Sequence, residues 1–198
     1  VDPSCQTRGL GRRVVRPRVL RLTRGRMEGS VTVDQRDREQ ALLTLDLRLR
    51  EARLVDFFPN TGIDGGLVGH IRLTGAGDTI RAAVARSNGS VAMVARDGVI
   101  PARTAALLGE DVGRGLTAGA KDQSVLRCLI VRFEVAQGLA RAAPAVIDTT
   151  HAGTRAEGTV RLADERLFLT MKGAPKRASF LRLSEPIPVG GTIQNPQI

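Results

Sequence analysis

The stretch ALLTLDLRLREARL, residues 41–54, decides the fold. Leu43, Leu45, Leu47 and Leu49 alternate with Thr44, Asp46, Arg48 and Arg50. A repeat of two puts the leucines on one face of a strand and the polar residues on the other. An apolar strand face needs another layer, or a ligand of like character, to cover it.

The same strand–turn–strand unit recurs on both sides. Upstream, RVLRLTRG within 18–26 and GSVTVD at 29–34 read as strands, and QRDRE makes a polar turn. Downstream, Phe57 and Phe58 stop at Pro59, and NTGIDGG leads to the strand LVGHIRLTG at 67–75. Two windows break the β pattern. Residues 79–87 have the spacing of a short helix ended by Gly89, and Pro101 opens a second helix over 102–116. Between them SVAMVARDGVI reads as a hairpin turning at Asp97-Gly98.

SVLRCLIVRFEVAQG, 124–138, is apolar on both faces in its middle, the mark of a strand covered on both sides. Three more strands follow, separated near His151–Thr154 and at Asp164-Glu165, and the tail holds one further strand before a proline-interrupted edge. The expected class is therefore mostly β: a strongly twisted, mainly antiparallel sheet with two short covering helices, forming a single domain over 1–198.

Composition agrees. The chain has 22 glycines, five phenylalanines and neither Trp nor Tyr, so Leu, Val, Ile and Ala must fill the core. The net charge of +10 comes almost wholly from arginine; lysine occurs only as Lys121, Lys172 and Lys176. Such a surface attracts polyanions, nucleic acid and anionic headgroups alike. Nucleic acid is disfavoured, because the phenylalanines are not interleaved with basic residues and no basic helix offers itself to a groove. There is no run of about 20 apolar residues to span a bilayer. The opening VDPSCQ, without Met, suggests a piece of a longer protein.

Chemistry-bearing motifs are weak. TGAGD at 74–78 lacks a phosphate-binding lysine and reads as a glycine turn. Asn88-Gly89-Ser90 matches a glycosylation sequon but reads as the end of a helix. Cys5 and Cys128 form no CxxC pair, so neither a metal nor a cofactor is expected; Cys128, among Leu126, Leu129 and Ile130, is buried or paired with Cys5. Asp148 with His151 is the one conceivable acid–base pair, and it has no third partner. The expectation is a protein that is not an enzyme.

One family shares the ordered set of motifs. GGLVGHIRLTGAGDTIRAAVARSNGSVAMVARDGVI (65–100), SVLRCLIVRFEVAQG (124–138), VIDTTHAGTRAEGTVRLADERLFLTMKGAPK (146–176) and the closing PIPVGGTIQNPQI resemble the carboxy-terminal region of the AsmA family of bacterial envelope proteins. The resemblance implies a periplasmic location, an inner-membrane anchor elsewhere in the full-length protein, and a kinship with bridge-like lipid-transfer proteins. It implies a part in phospholipid transfer or outer-membrane assembly, with phospholipid or assembly components as partners. On this reading Leu43, Leu45, Leu47 and Leu49 face acyl chains, and Arg48, Arg50, Lys172, Lys176 and Arg177 hold headgroups. Two alternatives stay open: a structural cap closing a longer β trough, and a basic nucleic-acid-binding module.

Overall fold

In the computed structural model the described residues are 6–7, 12–15, 20–21, 24–35, 40–59, 61–108, 119, 122–176 and 185–197. They form a 13-stranded antiparallel sheet in nearly sequential order. Three short strands, β1 (Gln6–Thr7), β2 (Arg12–Val15) and β3 (Leu20–Arg21), lie at one edge. The long strands follow as β4 (Arg26–Asp34), β5 (Ala41–Arg53), β6 (Asp64–Gly77), β7 (Asn88–Pro101), β8 (Gln123–Ala136), β9 (Leu139–Thr149), β10 (Ala152–Arg161) and β11 (Arg166–Pro175). β12 (Ile187–Gly191) and β13 (Pro196–Gln197) close the other edge. The mostly-β, antiparallel expectation holds. The strand read over 18–26 is shorter: Leu20–Arg21 is one piece, and Arg26 already belongs to β4.

Among the described residues three helices interrupt the sheet rather than two. α1 (Leu54–Phe57) joins β5 to β6, α2 (Ile80–Ala85) joins β6 to β7, and α3 (Ala102–Leu107) follows β7. α1 escaped the sequence reading because four residues show no helical period. α2 starts where Thr79 caps it, its hydroxyl oxygen accepting from the Ala82 amide at 3.1 Å. It ends at Ala85, with Arg86 as its cap, so Gly89 does not terminate it. Gly89 lies inside β7 at φ +144°, where a Cβ would come 2.0 Å from the Arg72 carbonyl oxygen. It is glycine because the neighbouring strand comes so close. α3 covers the start of the second helical window, and most of that window's carboxy-terminal part lies outside the described residues.

The Asp97-Gly98 hairpin does not form. β7 continues through both residues and pairs with β6 and β8 as far as Val99 and beyond. Asp97 takes φ +52° and is absorbed as a bulge. Local turn preference lost to two flanking ladders. The tight turn sits instead at Gln137-Gly138, both with positive φ, between β8 and β9.

Candidate functional site

Strand register builds one continuous apolar face. Met27, Leu49, Gly69, Met93, Val131, Ala145, Ala156, Met171 and Ile187 stand opposite one another across nine strands, β4 to β12. A parallel row holds Leu47, Ile71, Val91, Phe133 and Ala142. At a strand spacing of about 4.8 Å, eight steps make a strip about 38 Å long.

The helices line its two margins. On one side Ala83 of α2 sits over Gly75, whose added Cβ would lie 2.0 Å from the Ala83 carbonyl oxygen. Leu43 is opposite Gly75 and only 4% exposed. On the other side Leu54 of α1, Ala105 of α3 and Leu108 join Ala52, Leu67 and Ala95 in a buried cluster. Between these margins Leu47, Leu49, Ile71, Val91, Met93, Val131 and Phe133 are half-buried. The described residues thus form a trough across the strands, with an apolar floor and helical walls.

The four leucines of β5 do not share one environment. Leu43 belongs to the wall; Leu45, Leu47 and Leu49 are floor. The opposite, outer face of the sheet carries the charges. Arg48 and Arg50 point there, where Arg50 and Arg26 share Glu28 at 3.7 and 3.0 Å. Lys172 also lies on this outer face, directly opposite Arg155. Lys176 reaches Asp148 at 2.5 Å and donates to the Thr149 carbonyl at 2.7 Å, fastening the β9–β10 turn. Arg177 lies outside the described residues. The structure therefore groups the leucines on one face and sets Arg48, Arg50 and Lys172 on the other.

Asp148, half of the conceivable acid–base pair, is engaged by Lys176 and lies 3.8 Å from Arg127. His151 is in the β9–β10 turn, and its carbonyl accepts from the Lys176 amide. His70 pairs instead with Asp46, Nε2 to Oδ1 at 2.6 Å. The bond from His70 holds the Asp46 carboxyl below its ordinary range, and nearby Arg48 and Arg72 add to this. Asp46 and His70 are 24 residues apart, and only the β5–β6 register reveals the pair. Cys128 is half-buried, against the expectation of burial. A register shift between Leu126 and Cys128 turns it to the outer face, between Arg96 and Asp148. Cys5 lies outside the described residues.

Ile130 is 41% and Val125 52% exposed. The middle of β8 is therefore covered on its inner face only, because the helices sit on that one side. Among the described residues no group of His, Cys, Asp and Glu is placed to hold a metal, and no helix is long and apolar enough to cross a membrane.

No protein-family model matches the chain, and no solved structure matches it. Over 158 residues, 77% of this chain, the sequence is 27% identical to the AsmA family protein YhjG of Escherichia coli (strain K12). The chain spans 23% of that relative's length. The ordered motifs and this match agree: what the chain resembles is the AsmA family.

Proposed function

We propose that this chain is a non-enzymatic domain of an envelope protein that guides phospholipid acyl chains along its trough, in lipid transfer or outer-membrane assembly. The observation that carries the reading is the half-buried floor of Leu47, Leu49, Ile71, Val91, Met93 and Phe133 between two helical walls. Each methylene moved from water onto such a floor contributes about 0.8 kcal/mol. Retention of an acyl chain then needs no single decisive polar residue. Chemistry of this kind needs a surface and no acid–base machinery, consistent with the engagement of Asp148 by a lysine.

A structural cap would cover the leucine row completely, whereas only Leu43 of the four is buried. The periplasm, with a tether to the inner membrane supplied by other parts of the full-length protein, is the location that suits the family. Native mass spectrometry of the domain purified from a membrane-containing lysate tests the reading. Phospholipid adducts are expected on the parent chain and lost on Leu47→Asp combined with Val91→Asp. A folded parent chain that carries no phospholipid would refute it.

A further inference from the structure

Among the long strands β4 to β11, the outer face of the sheet places three pairs of cations directly opposite each other: Arg26 with Arg50, Arg161 with Arg166, and Arg155 with Lys172. Like charges in that position repel and destabilise the pairing. Two of the pairs carry their own remedy. Glu28 lies 3.0 Å from Arg26 and 3.7 Å from Arg50. Asp164 lies 2.6 Å from Arg161 and 3.6 Å from Arg166. The third pair has none: among the described residues no carboxylate forms an ion pair with Arg155 or Lys172. Glu157 lines the same groove as both and pairs with neither.

The surroundings of this pair are apolar on one side. Val68, Val94, Ile130 and Val146 stand in register across β6 to β9, and Val146 is directly opposite Arg155. Val68 and Ile130 are 50% and 41% exposed. Val146, Arg155 and Lys172 line one groove. Four aliphatic side chains thus lead, strand by strand, to two cations that lack a counter-charge. A ligand complementary to this row has an apolar body and an oxyanion at its end.

We propose that Arg155 and Lys172 bind the phosphate of an anionic lipid on the outside of the sheet, with the lipid's apolar part against the Ile130–Val146 stripe. This site is on the face opposite the trough and stands independently of it. The guanidinium of Arg155 offers two parallel donors to a phosphate, and the ammonium of Lys172 adds a compact charge beside it. Bound phosphate would relieve the repulsion that carboxylates relieve at the other two pairs.

The test is sedimentation of the full chain with vesicles of phosphatidylcholine, with and without phosphatidylglycerol. The parent chain is expected to bind the anionic vesicles. Arg155→Ala and Lys172→Ala each lower the affinity about fivefold, as expected for one basic residue at an anionic surface. Ile130→Ser lowers it as well. Arg132→Ala is the control, because Arg132 is already paired with Glu134 at 2.5 Å; its affinity stays at the parent value. Equal losses from Arg132→Ala and Lys172→Ala would overturn the proposal in favour of diffuse charge attraction, and no loss from Lys172→Ala would overturn it outright. If inorganic phosphate bound and Ile130→Ser had no effect on vesicle binding, the pair would be a free-anion site and the lipid assignment would fail.

Discussion

The Thr154 hydroxyl on β10 donates a hydrogen bond to the Leu108 carbonyl at the end of α3, and both residues are buried. This bond ties a wall of the trough to a strand 46 residues further along the chain. Removal of the donor leaves a buried carbonyl oxygen without this partner. Thr154→Val is expected to cost about 1–3 kcal/mol, and Thr154→Ser to cost less because it keeps the hydroxyl. Urea denaturation checks this: the midpoint falls for the valine variant while the slope is unchanged.

The other wall depends on the absence of a side chain. Gly75→Ala would drive a Cβ to within 2.0 Å of the Ala83 carbonyl oxygen and force α2 off the sheet. Overpacking of this kind costs about 1–3 kcal/mol. Gly153→Ala has open space around its Cβ and is the matched control. Thermal unfolding should drop for the first variant and not for the second.

Leucines of one strand should respond differently to truncation. Leu43 is buried opposite Gly75, the residue against which α2 packs, and Leu47 is on the half-buried floor. Leu43→Ala should cost about 2–5 kcal/mol, the range for a buried leucine. Leu47→Ala should cost clearly less stability while weakening lipid retention. Paired measurements of unfolding midpoint and copurified phospholipid separate wall from floor.

Acid should loosen the junction of β5, α1 and β6. Arg53 donates to Asp64 from its Nε at 3.0 Å, and this bond holds the Asp64 carboxyl below its ordinary range. A depressed folded-state pKa gives stabilisation that is complete above the unfolded carboxyl's pKa, about 4. It is lost as pH falls through the lower, folded value. Asp64→Asn should therefore flatten part of the acid limb of a stability–pH profile and leave the limb above neutrality unchanged.

Much of this architecture was legible in the sequence. The leucine alternation in β5 gave its two faces directly, because period two is a property of the strand itself. β9, β10 and β11 were likewise visible from alternation and polar turns. Asp97-Gly98 misled because its turn preference is local, while the ladders of β6 and β8 that keep β7 straight come from distant residues. β8 misled in another way: its apolar outer face reads as covered, yet Val125 and Ile130 are exposed. Sequence singles out the headgroup candidates by charge alone. Only register shows that Arg48 and Lys172 face away from the floor, and that Arg155 completes a pair with Lys172.

Leu47 and Arg48 are neighbours in sequence on opposite faces of β5, and that contrast gives the most direct test of the trough. A photoreactive amino acid placed at either position in the full-length protein, activated in intact cells, reports whether acyl chains meet the floor at β5. Phospholipid crosslinks at position 47 and none at position 48 are the predicted result. No crosslink at position 47, or equal crosslinks at both, would contradict an acyl-bearing floor.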